Sequence, residues 1–164
     1  MQKYGFYIID DEFYKRYSDP YLKGNKAENR PHYYCFADDE YNGIYWVIPM
    51  SQRVEKFTAI IERKKKAHKP CDILHICKLS NDKVNAFLIQ DMFPIIDKYI
   101  KRPYLFVGNP LTLVGEKEQL IIQHKAMRIK NLIERGVKFT PLQVNALVIK
   151  KGLIQELHEE KCNK

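Results

Sequence analysis

The pair Asn42–Gly43 constrains this chain more than any other two residues. Asn-Gly between two β-rich runs is a strong short-range hairpin signal, because both residues tolerate the positive φ that a tight turn between twisted strands demands. The run His32–Ala37 leads into a turn segment that opens at Asp38, and residues 44–48 return from it. Ile44, Trp46 and Ile48 alternate with Tyr45 and Val47, so both faces of the returning strand are expected to be covered. Antiparallel pairing across the turn brings the far ends of the two runs together. The entry, Asn29, Arg30, Pro31 and His32, should therefore meet the exit, Pro49, Met50, Ser51, Gln52 and Arg53.

Around this hairpin the chain reads as β-rich for two thirds of its length and helical thereafter. Residues 3–9 form an expected first strand, followed by a short helix over 11–18 capped by Asp10 and ended by Asp19–Pro20. Ser51 stands where a helix cap belongs, and the spacing of Val54, Phe57 and Ile61 predicts a helix over 52–67 with one apolar stripe. Two strands, 72–79 and 84–89, flank the turn Ser80–Asn81–Asp82. A short helix is expected over 91–101, interrupted by Pro94, and a last strand over 104–107. The C-terminal third predicts a helical pair. The first helix spans 116–135, carries Ile122, Ala126, Ile129 and Ile133 on one face, and stops at Gly136. The second restarts at Thr140–Pro141 and carries Ala146, Ile149, Leu153 and Leu157. The expected class is α+β in one domain over 1–164. A small twisted antiparallel barrel or sheet over 1–110 is crossed by a basic helix and packed by C-terminal helices over 111–164.

Composition sharpens the functional reading. The 28 Lys and Arg exceed the 20 Asp and Glu, a net charge of +8 that draws phosphate backbones or anionic surfaces. Segment 51–70 alone carries seven cations against two carboxylates, a net of +5. Asp10, Asp11 and Glu12 stand where a signal peptide needs apolar residues, and no apolar run reaches membrane-spanning length, so a cytoplasmic location and no membrane partner are expected. Cys35, Cys71, Cys77 and Cys162 contain no C-x-x-C pair and read as free thiols. Cys71, His75 and Cys77 would share one strand face, but Ile73 on that same face marks it as core, so neither metal nor cofactor is expected.

The hairpin ends suit RNA cleavage by the RNA's own 2′-hydroxyl. That reaction needs a base near the 2′-oxygen, an acid near the 5′-leaving oxygen, and donors around the phosphate. His32, Ser51 and Gln52 are the candidate catalytic set. The imidazole serves as acid or base, and the N–H groups of Gln52, Arg53 and Val54 are expected to face the anion at a helix start. Lys26, Arg30, Arg53, Lys56, Arg63, Lys64, Lys65 and Lys66 are the candidate RNA track, with Tyr14 beside them. Tyr17, Tyr21, Tyr33 and Tyr34 add possible stacking surface. A non-catalytic RNA- or DNA-binding protein using the same basic helix is the rival reading, and a plain protein-interaction domain is a third.

At these residues the chain resembles the ToxN/AbiQ family of endoribonuclease toxins, nearest its CptN-type subgroup. The likeness lies in Phe6–Tyr7–Ile8–Ile9 followed by Asp11–Glu12–Phe13, in the strand opening Pro31–His32, in Tyr45–Trp46–Val47–Ile48–Pro49 leading to Met50–Ser51, and in residues 88–95. Together these span roughly residues 3–100. The resemblance implies a fold related to the MazF/Kid barrel and metal-independent cleavage of RNA, often at A-rich sites, to 2′,3′-cyclic phosphate ends. It also implies a type III toxin–antitoxin role in abortive phage defence. The inhibitor would be a pseudoknotted repeat RNA that closes with the toxin into rings. The family's hydroxyl at the hairpin exit falls on Ser51, and its frequent lysine after the strand-opening proline is His32 here. The following position, often a second serine, is Gln52, and an early helix tyrosine falls on Phe13 with Tyr14 next to it. Acid and base roles stay unassigned.

Overall fold

The computed structural model describes residues 1–24, 27 and 30–162. In chain order the elements are β1 (Phe6–Ile9), α1 (Asp11–Arg16), β2 (His32–Ala37), β3 (Ile44–Ser51), α2 (Val54–Lys66), β4 (His75–Lys78), β5 (Val84–Phe87), β6 (Phe93–Ile96), β7 (Ile100–Pro103), β8 (Leu105–Phe106), β9 (Asn109–Pro110), α3 (Glu116–Glu134) and α4 (Ala146–Cys162). The class is α+β, with a seven-stranded antiparallel sheet, a separate β8–β9 ribbon and four helices among the described residues. No helix among them is long and apolar enough to cross a membrane.

The sheet runs β4-β5-β3-β2-β1-β7, with β6 also on β3. It is open. β4 and β7 stand at opposite ends of the path and form no ladder, so the closed barrel is not realised; closure needs the two edge strands to meet. The hairpin strand β3 organises the rest. One flank holds β2, with His32 opposite Pro49 and Ala37 opposite Tyr45. Its other flank is divided between β6, opposite residues 44–47, and β5, opposite Met50 and Ser51. The connection between β2 and β3 is the six-residue segment 38–43 rather than a two-residue turn: Gly43 takes φ +91°, while Asn42 does not adopt positive φ.

Several expected boundaries move, each for a local reason. Residues 91–101 are not a helix: Phe93–Ile96 is a strand between short 3-10 turns, and 100–103 is another. Phe93, Ile95 and Ile96 are all buried, and a short, doubly covered apolar run looks alike as helix or strand. The expected strand over 104–107 is replaced by β7 and the β8–β9 ribbon. The first strand starts at Phe6, and the strands expected over 72–79 and 84–89 shrink to β4 and β5. The last helix starts at Ala146 rather than near Pro141, because Asn145 caps it, its side-chain oxygen accepting from the Val148 N–H at 3.3 Å. The helix after β3 starts at Val54 rather than Gln52, since Ser51 still belongs to the strand.

The core lies between the sheet and the C-terminal helices. α3 buries Ile122, Ala126, Ile129 and Ile133 and packs on β2, while α4 packs on β6. Leu153 and Ile149 of α4 are buried, and Leu157 is packed against the same cluster. The α2 stripe is thinner: Phe57, Ile60 and Ile61 are only partly buried, against Leu74, Ala86 and Leu88.

Ionic contacts join the hairpin turn to this helical layer. Asp38 accepts from the Trp46 indole N–H at 2.8 Å and from the backbone N–H groups of Glu40 and Tyr41 at 3.1 and 3.0 Å. The Lys150 ammonium bridges Asp38 at 2.8 Å and Glu134 at 2.7 Å. Burial pushes the Asp38 carboxyl up, but hydrogen bonds from Lys150, Trp46 and the backbone at Glu40 outweigh it and hold it below the usual carboxylate range. Lys150→Met would leave Asp38 buried without its cation, and we expect a loss of about 3 kcal/mol in denaturant unfolding. A loss below about 1 kcal/mol would show that the ionic tie between turn and helices is dispensable.

Candidate nucleic-acid interface

The two ends of the β2–β3 hairpin open into one cleft of about 1070 Å³. His32 enters it from the first residue of β2, Ser51 from the last residue of β3, Gln52 and Arg53 from the link between β3 and α2, and Lys56 from the first turn of α2. Arg30, immediately before the strand-opening Pro31, lines it as well. Residues separated by the whole hairpin are neighbours here because the ladder sets His32 across from Pro49.

The rest of the expected track lies elsewhere. Arg63, Lys64, Lys65 and Lys66 occupy the last turn of α2 and are absent from the cleft lining, roughly 15–20 Å along the helix from Arg53 by helical rise. Tyr14 is half-buried and does not line the cleft. Its hydroxyl finds no hydrogen-bond partner among the described residues. Burial pushes that phenol up, Arg30 opposes the shift and Asp11 adds to it. Lys26 lies outside the described residues. Tyr33 and Tyr34 are core, and Tyr17 is committed to Glu156 through a 2.6 Å hydrogen bond, so of the expected stacking residues only Tyr21 reaches the cleft.

The helix start differs from the expected cradle. The Arg53 N–H donates to the Ser51 hydroxyl oxygen at 3.2 Å, and the Val54 N–H donates to the Gln52 carbonyl at 2.8 Å. Arg53 occupies the cap position without a side-chain bond. Two of the three N–H groups expected to face an anion are thus already used. Helix geometry leaves the free first-turn donors at Glu55 and Lys56 instead. Because the Ser51 oxygen accepts, its hydroxyl proton is available to donate to a ligand.

His32 is 1% exposed, and its Nδ1 has no hydrogen-bond partner among the described residues. Its ring packs edge-on to Phe93, with centroids 5.4 Å apart. Burial first, and the Arg30 guanidinium second, push the imidazole down to about 3, against a backbone hydrogen bond at Arg30. The ring is therefore neutral at physiological pH. Burial and the Arg30 charge thus disfavour the imidazolium, which suits the ring to accepting a hydrogen bond or proton rather than to donating one as an acid.

Sequence reasoning missed six polar residues of the lining: Lys23, Asn81, Lys83, Asn85, Asp91 and Tyr104. With Arg30, Arg53 and Lys56, the two lysines make five cations, and Asp91 is the single carboxylate among the described lining residues. Burial holds the Asp91 carboxyl above its usual range, against the Lys23 ammonium and a hydrogen bond with the Gln90 side chain. Lys83 follows the Ser80–Asn81–Asp82 turn, which was the one available signal. What carries β5 to the cleft is the pairing of Met50 with Phe87 and Ser51 with Ala86, a long-range choice. Phe106, Leu111, Leu142 and Val144 supply an apolar stretch of the lining.

Fold and cleft together define a basic α+β protein with a cationic groove at the exit of a β-hairpin. No protein-family model matches the chain, and no curated protein matches it.

The buried neutral imidazole gives a pH signature. Its folded value of about 3 lies below the ordinary 6.5, so the contribution of His32 is complete above pH 6.5 and is lost as pH falls toward 3. Over that window the unfolded chain binds a proton that the folded chain refuses, a slope approaching about 1.4 kcal/mol per pH unit. Chemical denaturation between pH 7 and 4 should therefore fall less steeply for His32→Asn than for the parent. Equal slopes would mean that His32 titrates normally.

Proposed function

We propose that the chain is a metal-independent endoribonuclease toxin of the ToxN/AbiQ kind, acting on RNA in the cytoplasm. The observation that carries this reading is the cleft itself: His32, Ser51 and Gln52 line it together with five cations and one carboxylate. A phosphodiester fits such a groove by charge, and Arg30 and Arg53 offer the planar forks that bind phosphate oxygens with two bonds. The Ser51 hydroxyl donates to a phosphate oxygen, and the Nδ1 of His32, buried in the free protein, accepts the proton of the attacking 2′-hydroxyl once the ring turns toward the cleft. A phosphate beside the ring raises its basicity by favouring the imidazolium. Asp91 keeps its proton to higher pH than an ordinary carboxyl and is our candidate for the acid that protonates the 5′-leaving oxygen.

The family resemblance supports the wider role. In this reading the enzyme cuts A-rich RNA to 2′,3′-cyclic phosphate ends and aborts phage infection. A pseudoknotted repeat RNA inhibits it and closes with it into a ring. The fold relation to the MazF/Kid barrel belongs to the same proposal. Arg63 and Lys64 to Lys66, outside the cleft, then hold more distant phosphates of a long RNA.

One observation favours the rival reading of a non-catalytic RNA-binding protein: a His32 held near 3 is a weak base until an anion arrives. The two readings separate in one experiment. Purified protein is incubated with an A-rich RNA in EDTA, and the products are examined for cyclic-phosphate ends. The enzyme reading expects cleavage that falls by on the order of 10²-fold or more in Ser51→Ala and in His32→Asn. Binding without cutting establishes the rival. In either case Arg53→Ala and Lys56→Ala should each flatten the salt dependence of binding, by about 0.7 in log–log slope for every phosphate that the variant no longer neutralises.

A further inference from the structure

Outside the cleft, three side chains that each offer a metal-ligating atom converge from two distant parts of the chain. His75 and Cys77 project from alternate positions of β4 and so share one face. Glu118 projects from the first turn of α3 and meets them there. A ring nitrogen of His75, the Cys77 Sγ and a Glu118 carboxylate oxygen all lie within 4.8 Å of one another, the Nε2 being the nitrogen that meets Glu118. None of the three lines the cleft. Cys71, which shares their parity in sequence, is not part of the cluster; the third donor comes from α3 instead.

We propose that His75, Cys77 and Glu118 bind a divalent transition metal of the zinc class, tying the edge strand β4 to the start of α3. One imidazole, one thiolate and one carboxylate match the N, S and O preferences of Zn²⁺ and complete three of four tetrahedral positions, leaving the fourth to water. The thiolate and the carboxylate neutralise the ion's two charges, and binding releases the Cys77 thiol proton to solvent. The three side chains are partly shielded, with His75 13% and Glu118 31% exposed at the side chain and Cys77 8% exposed overall.

Two adjustments accompany entry of the metal. The His75 Nε2 and Glu118 Oε2 are hydrogen-bonded at 2.5 Å, whereas two ligands of one tetrahedral zinc stand about 3.3 Å apart. Glu118, on a helix end and the most exposed of the three, has room to swing by that amount. Lys125 Nζ lies 3.5 Å from His75 Nδ1 and donates to the carbonyls of Cys71 and Leu74 at 3.0 Å each. A ring bound to metal through Nε2 carries its proton on Nδ1, so Lys125 gives up that third, long contact and keeps the two carbonyl bonds.

The test uses the full chain carrying Cys162→Ser, which removes an exposed thiol one helical turn from His158 and with it a trivial metal-binding pair. Co²⁺ is titrated into the chelator-stripped protein, and the thiolate-to-metal charge-transfer absorption is followed. We expect a band that saturates at one equivalent, is bleached by Zn²⁺, and is abolished by Cys77→Ser. Glu118→Gln, a partly exposed change that leaves the core intact, should weaken binding at least ~100-fold, more than loss of an outer-shell partner usually costs. Zn²⁺ should also raise the melting temperature of the Cys162→Ser parent, and raise that of Glu118→Gln clearly less at the same concentration. Absence of the band at one equivalent, its survival in Cys77→Ser, or unchanged affinity in Glu118→Gln would each overturn the proposal.

Discussion

Asp38 is the small constraint on which the rest turns. Its buried carboxylate shapes the hairpin turn through two backbone N–H groups, orients Trp46 inside the core, and meets Lys150 of α4. A buried carboxylate without those partners would cost several kcal/mol; fully satisfied, it makes one turn geometry and one helix position mutually dependent. The turn sets Ala37 across from Tyr45 and Phe36 across from Trp46, and a register shift between Tyr34 and Phe36 then places His32 across from Pro49 at the other end of the ribbon. The Asp38 turn and the cleft thus lie at opposite ends of one ribbon, with that register shift between them.

The C-terminal helices hold that arrangement from outside the sheet. Lys130 and Lys150 both contact Glu134, and Lys130 reaches Asp39 beside the turn. A second buried carboxylate, Glu156, collects Tyr17, Tyr99 and Lys98, tying α4 to the segment after α1 and to the turn before β7. α3 works at both ends: its last turn meets the hairpin, and its first turn meets β4 through Glu118 and His75. The sheet is open, and two ionic clusters and one histidine–carboxylate pair brace it where a barrel would use strand pairing.

Of the three buried side-chain polar atoms without a partner among the described residues, two lie within reach of Arg30, and the third, the Tyr33 hydroxyl, lies in the core. The Nδ1 of His32 and the hydroxyl of Tyr14 are buried with no partner among the described residues, close enough to Arg30 that its charge acts on both. Such groups cost stability, and they are kept where something other than stability is gained. On the proposed function, a bound ribonucleotide would supply its 2′-hydroxyl as the donor that the imidazole lacks and its phosphate as the countercharge for the arginine. That is the physical sense in which this region of the protein is incomplete by itself.

The sequence alone determined what depends on near neighbours. The Asn42–Gly43 hairpin, the Asp10 cap, the buried stripe of α3 and the meeting of residues 30–32 with 49–53 all follow from turn chemistry, capping and pairing over short separations. Only the tertiary structure decided what depends on which faces meet. It left the sheet open, read Phe93 to Ile96 as a strand, buried Tyr33 and Tyr34, moved the helix start to Val54 and brought Lys23, Lys83 and Asp91 to the cleft. It also neutralised His32, since a side chain's ionisation is set by its surroundings and those come from strands and helices far away in the chain. Periodicity reports the conformation of a segment; burial and charge pairing are properties of contacts between segments, and no local pattern encodes them.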